Sequence, residues 1–237
     1  MRQDQISVVP IVLVLFAIAG FVLLVGMLAF MGFLISRAVK RRSYDPGRGA
    51  EMQEVARWLG FTFRPEAALA ELPCFGGFEL FEGYPLKAEN LMTGSSRGHD
   101  LSVFDLAYRN VGEAGGTTTS RQTMVVVRSS ALALPIFYLR PEGALETVLD
   151  TMSRVDIDFP ERPAFSSRYL LYGPDEAAIR RLFTVPRLDA LEHYPDLCIA
   201  GRGNCLFFYT SRTLGQPSEV TQYVGFTEQL HEVFRAT

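Results

Sequence analysis

The 237 residues carry 23 Lys and Arg against 26 Asp and Glu, a net charge of −3, and 48% hydrophobic side chains, enough to bury the core of one sizeable domain. Six of the basic residues (Arg2, Arg37, Lys40, Arg41, Arg42 and Arg48) and two of the acidic ones (Asp4 and Asp45) precede residue 49, which leaves 17 basic and 24 acidic residues beyond it, or −7. Binding to nucleic acid is excluded on that ground, because neutralising phosphates needs a basic face.

Residues 8–35 contain no charged side chain, and Arg37, Lys40, Arg41 and Arg42 follow at once. As a helix this run reaches ~42 Å at ~1.5 Å per residue, against a hydrocarbon core of ~30 Å, so it spans with tilt. A cleaved signal peptide fits poorly: the run is too long, Asp4 spoils a basic start, and no small-x-small site precedes Lys40. Basic residues near a membrane mark its cytoplasmic side. The amino-terminal flank offers Arg2, whereas the other offers Arg37, Lys40, Arg41, Arg42 and Arg48. The expected organisation is an extracytoplasmic tail (1–7), a transmembrane helix (8–36), a basic juxtamembrane linker (37–49) and a cytoplasmic α+β domain (50–237) in a single-pass plasma membrane protein. The arginines of the flank can also sit against anionic headgroups. Gly20, Gly26 and Gly32 recur every six residues and so share no face of the helix.

Residues 44–49, with Pro46, Gly47 and Gly49, read as a helix-breaking linker. A helix over 50–59 follows from the stripe Met52, Val55, Ala56 and Leu59, stopped by Gly60, and Pro65 is placed to open a second short helix through Leu72. The period then changes to two. Strands are predicted over 86–92, 101–109, 121–128 and 136–139; turn-rich segments at 93–98 and 112–119 join the first three as antiparallel hairpins. A helix over 144–152, a strand at Tyr169-Leu170-Leu171-Tyr172, a helix to Phe183 begun near Asp175, and a helical piece over 188–193 come next. A hairpin over 197–209 turns at Gly201-Arg202-Gly203-Asn204, and Ser218 opens a closing helix to Phe234. The fold class is α+β: a mainly antiparallel sheet with packed helices and a C-terminal helix, an arrangement that also allows a pleckstrin-homology-like barrel.

Candidate chemistry is sparse. Gly94-Ser95-Ser96-Arg97-Gly98 matches the G-x-S-x-G elbow, but that device needs a strand before the serine and a helix after it, and a strand is predicted to follow. Asp175 and His231 stand in the right order to complete a triad with Ser96. Asp156 and Asp158 alternate with apolar residues, and with Asp105 they compose the one acidic site the sequence suggests. The 112–119 loop lacks the lysine of a P-loop, so it reads as a hairpin tip. His99, His193 and His231 are scattered singly, which points to surface or capping roles; no metal and no cofactor is expected. Cys74, Cys198 and Cys205 form no C-x-x-C pair and are expected as free thiols on a reducing side. Pairing Ala200 with Cys205 would set Cys198 and Cys205 diagonally apart, too far for a disulfide.

Asn90-Leu91-Met92-x-Gly94, Phe104-Asp105-x-x-Tyr108, Gln122-Thr123-x-Val125-Val126, Pro135-x-Phe137-x-Leu139-Arg140-Pro141 and Asp156-Ile157-Asp158-Phe159 together resemble a group of uncharacterised bacterial membrane-anchored proteins. The resemblance implies amino-terminal transmembrane sequence and an α+β soluble part, and it implies no catalytic residue. The expected function is a protein- or ligand-binding domain held at the inner leaflet, with the lipid bilayer and a membrane or cytoplasmic protein as partners. The alternative is a tethered hydrolase using Ser96 or the carboxylates Asp105, Asp156 and Asp158.

Overall fold

The computed structural model describes residues 47–72, 74–75, 86–111, 117–143 and 156–235. The apolar run over 8–35, the Gly20, Gly26 and Gly32 series, the basic cluster at 37–42 and the helix expected over 144–152 lie outside them. Among the described residues, no helix is long and apolar enough to cross a membrane.

The chain is α+β. Helix α1 (Arg48–Leu59) presents Met52 and Ala56 inward and ends on Gly60, whose φ of 72° gives the left-handed stop anticipated there. Strand β1 (Thr62–Ala67) replaces the helix expected from Pro65. It pairs with β2 (Leu86–Ser96) alone, and an edge strand tolerates a residue without an N–H; the helical tendency survives as one 3-10 turn at Leu69–Glu71. Strands β2, β3 (His99–Val111) and β4 (Thr117–Arg128) form the meander foreseen from the alternation. Then come β5 (Leu134–Pro141), the short α2 (Pro163–Ser166), β6 (Tyr169–Tyr172), α3 (Glu176–Leu182), α4 (Val185–Leu191), the hairpin β7 (Cys198–Gly203) and β8 (Cys205–Tyr209), and α5 (Val220–Phe234). Asp175 caps α3 by accepting from the Ala178 N–H at 2.9 Å.

All eight strands join one antiparallel sheet in the order β1-β2-β3-β4-β8-β7-β5-β6. Among the described residues the order has two ends, β1 and β6, so the sheet is open there and not closed into the barrel that the sequence also allowed. Alternation sorts the side chains between its faces. Leu101, Val103, Val125, Val127, Phe137 and Phe208 meet Met52, Leu188, Leu230 and Phe234 of the helices, all on one face. Phe104, Leu106, Met124, Val126 and Phe207 lie on the other face, with Leu72 and Phe75 against them. The period-two pattern thus reads as a sheet buried on both sides.

Cys74 and Cys205 form a disulfide, with Cα atoms 6.0 Å apart, while Cys198 is buried and outside that bond. This corrects the expectation of three free thiols. The β7–β8 register differs by two residues from the one assumed, with Ala200 opposite Phe207. Cys205 faces the second core, where the Leu69–Glu71 turn has brought Cys74.

Candidate functional site: a cleft beside a buried ion pair

Asp105 shares its strand face with Leu101 and Val103 and is 0% exposed. Its direct neighbour across the sheet is Thr123, whose hydroxyl donates to Asp105 Oδ1 at 2.8 Å. Arg48 arrives from the first residue of α1 and binds the carboxylate bidentately: Nε donates to Oδ2 at 2.7 Å and Nη2 to Oδ1 at 2.8 Å. Asn90, at a bulge in β2 with φ of 53°, adds Nδ2 to Oδ2 at 2.9 Å. The remaining Arg48 nitrogen, Nη1, donates to the Gly215 carbonyl at 2.7 Å, and the Gly215 N–H donates to Thr123 Oγ1 at 3.0 Å. Five elements are fastened around one carboxylate. Arg48 is therefore a core residue and does not belong with the side chains available to headgroups, as its place in the basic flank suggested.

Gly215 is required where it sits. A Cβ on it would lie 2.1 Å from the hydroxyl of Tyr223, so the strap 210–216 can close on α5 only without a side chain there. Beside this strap opens a cleft of about 490 Å³, within the ~300–1,000 Å³ usual for small-molecule sites. Its floor is Val125 of β4, Phe208 of β8 and Leu197; its far wall is Gln222, Tyr223 and Phe226 of α5; its rim carries Thr210, Thr213, His193 and Asp196. Phe226 meets Tyr194 edge-on at 4.8 Å between ring centroids and Phe208 at 5.4 Å, so one aromatic side chain ties both walls to the floor. Tyr194 donates to Gln229 Oε1 at 3.1 Å and Tyr223 to Glu219 Oε2 at 3.2 Å. Burial, with the Glu219 carboxylate next, pushes the Tyr223 phenol up to about 12. The cleft therefore keeps a neutral hydroxyl.

The residues singled out from the sequence do not converge. Ser96 pairs with His99 across the β2–β3 turn, where Arg97 and Gly98 both have positive φ (47° and 84°), as a type I′ hairpin requires. Gly94 makes room for Phe61, since a Cβ there would lie 2.2 Å from that ring. Both glycines of the G-x-S-x-G match thus have structural causes, and a strand follows the serine. Asp175 is spent on its cap and His231 is hydrogen-bonded through Nε2 to Ser129 Oγ at 3.0 Å, so neither serves Ser96. Asp105 lies on β3, whereas Asp156 accepts from the Leu171 N–H of β6 at 2.8 Å. Those strands are five steps apart in the sheet, ~24 Å at ~4.8 Å per step. Burial, with Asp158 adding, raises the Asp156 carboxyl above its ordinary value, but the Asp158 side chain is exposed and its backbone carbonyl accepts from Arg180. The acidic triad is not assembled.

His193 is exposed and its Nδ1 lies 2.9 Å from the Asp189 carbonyl, a surface and capping role as expected, whereas the other two histidines depart from it. His99 and His231 stack with ring centroids 3.8 Å apart, and His231 is buried, which together with His99 lowers its pKa below the usual 6.5. Among the described residues no three His, Cys, Asp or Glu side chains come together to hold a metal. The cleft itself escaped the sequence reading because its lining comes from four separated stretches. One local signal was legible: Asp105 alternating in step with buried Leu101 and Val103 demands a buried partner.

No family model matches the sequence, and neither does any curated protein. Among solved structures the fold is similar to that of the mycobacterial trehalose monomycolate transport factor A, TtfA. The likeness has a TM-score of 0.55 and 14% sequence identity, and it covers 81% of this chain and 96% of that one. At that identity the likeness shows a shared fold.

Proposed function

We propose that the protein is a non-enzymatic binding protein, tethered to the plasma membrane by residues 8–36, whose α+β domain holds a ligand in the cleft beside Phe226. The observation that carries this reading is the cleft: a preformed, largely apolar hollow with threonine, glutamine, His193 and Asp196 side chains at its rim. The structural neighbour is a trehalose monomycolate transport factor, which supports an accessory, ligand-handling role for a domain of this fold.

The basic cluster Arg37, Lys40, Arg41 and Arg42 favours a cytoplasmic domain with the amino terminus outside, and it does so without Arg48. The Cys74–Cys205 bond argues the other way, since disulfides persist mainly in oxidising compartments. A cytoplasmic domain is compatible with the bond, because redox-responsive disulfides do occur in reducing compartments. A reporter fused after Thr237 that works only in the periplasm would reverse the orientation.

The binding reading is tested with a photo-crosslinking residue at Gln222 of the full chain in living cells. Adducts of lipid or small-molecule mass at Gln222, absent from a control at exposed Glu54, are the expected result. Equal yields at the two positions would defeat it.

A further inference from the structure

We infer that the ligand is an uncharged amphiphile, with an apolar chain lying on the Phe208–Phe226 floor and a hydroxylated head group at the Asp196–Gln222 rim. This rests on the binding reading above and concerns the same cleft.

Charge is the first argument. No Lys or Arg lines the cleft among the described residues, and Asp196 is its one formally charged side chain at neutral pH. A phosphate or carboxylate head would face that carboxylate with no Lys or Arg to pair it, which disfavours the charged form of both. The second argument is the division of polarity. Val125, Leu197, Phe208 and Phe226 offer nothing but dispersion and apolar area, and the Thr123 hydroxyl beside them is engaged with Asp105, whereas the exposed polar side chains Thr210, Thr213, Gln222, His193 and Asp196 lie at the mouth. A wholly polar ligand would leave the floor wet, and a wholly apolar one would strand the mouth.

The third argument is donor and acceptor supply. Asp196 accepts, Gln222 and the Thr210 hydroxyl do both, and the Thr213 hydroxyl, which donates to the Ser211 carbonyl at 3.0 Å, presents lone pairs. Tyr223 and Tyr194 already donate their protons to Glu219 and Gln229, so towards a ligand they present lone pairs. This mouth has acceptors in excess, and it complements a head group with several O–H donors. The strap bearing Thr213 is held by Gly215 to Arg48 and Thr123, so this side of the site is set before any ligand arrives.

Saturation-transfer NMR on the full chain in nanodiscs, with empty nanodiscs subtracted, tests this using octyl β-glucoside, octyl phosphate and glucose, each below any micelle concentration. Octyl glucoside should bind at least tenfold more tightly than either of the others. Gln222→Trp, at an exposed helical position that blocks the mouth, should abolish the signal, and Thr210→Trp should do so independently. Gln222→Arg supplies the missing cation and should narrow or invert the preference over octyl phosphate. Octyl phosphate binding as well as the glucoside in the unaltered protein overturns the head-group assignment and leaves the binding reading standing. If none of the three probes gives a signal that both tryptophan variants remove, the cleft is no such site, and both readings fall together.

Discussion

Replacing Arg48 by alanine removes both nitrogens that neutralise Asp105, a carboxylate with 0% exposure, and leaves it only Asn90 and the Thr123 hydroxyl. Stranding one partner of a buried pair costs ~3–5 kcal/mol, far more than the ~0–1 kcal/mol of a surface pair. With urea slopes of ~1–3 kcal/mol per molar, the unfolding midpoint should fall by at least about 1 M. Pulse proteolysis of the full chain in nanodiscs reads that midpoint from the protein's own gel band. Hydrogen exchange in the same samples should rise across 210–216, because the Gly215 carbonyl loses its guanidinium. The double change Arg48→Met with Asp105→Leu removes both charges and should recover most of the loss, so the two single costs will not add. A loss under about 1 kcal/mol for Arg48→Ala, with exchange at 210–216 unchanged, would mean that the pair is solvated and that the strap does not depend on it.

Reduction of Cys74–Cys205, or Cys74→Ser, should lower stability by up to ~5 kcal/mol, since the cross-link spans 131 residues; a urea midpoint insensitive to dithiothreitol would contradict the bond. For His231, burial and the neighbouring His99 lower the folded pKa below 6.5, with Glu228 and Glu232 opposing and Arg235 assisting. The unfolded chain therefore takes up the proton first: the contribution of neutral His231 is complete above about pH 6.5 and is lost as the pH falls towards the lower folded value. Urea midpoints at pH 8 and 5.5 should show this drop, smaller in His231→Gln; an equal drop in that variant would assign it to other groups. Gly215→Ala forces a Cβ to within 2.1 Å of the Tyr223 hydroxyl and should cost ~1–3 kcal/mol by overpacking, read by the same urea assay; no loss would show that the strap is free to move away from α5.

Much of the sheet was legible because strand alternation is local. The meander β2–β4, the presence of the β7–β8 hairpin though not its register, and the strand Tyr169–Tyr172 all follow from periods and turn residues within a dozen positions. Pro65 misled for a local reason as well: proline suits a helix start and an edge strand equally, and only the neighbouring β2 decides between them. Arg48 misled more deeply. Its neighbours in sequence are a basic flank, while its partners, Asp105, Thr123 and Gly215, lie 57 to 167 residues away.

By itself the sequence determined the α+β class, the antiparallel meander, the acidic balance of the chain beyond residue 49 and the uncharged run over 8–35, because each is a property of composition or short-range period. Tertiary structure alone decided that Asp105 is an anchor rather than an acid, that Cys74 meets Cys205, and that strands β4 and β8, helix α5 and two loops enclose a cleft. Those facts depend on which strands become neighbours, and strand pairing is settled by the burial of whole faces, a quantity that no single stretch of chain contains.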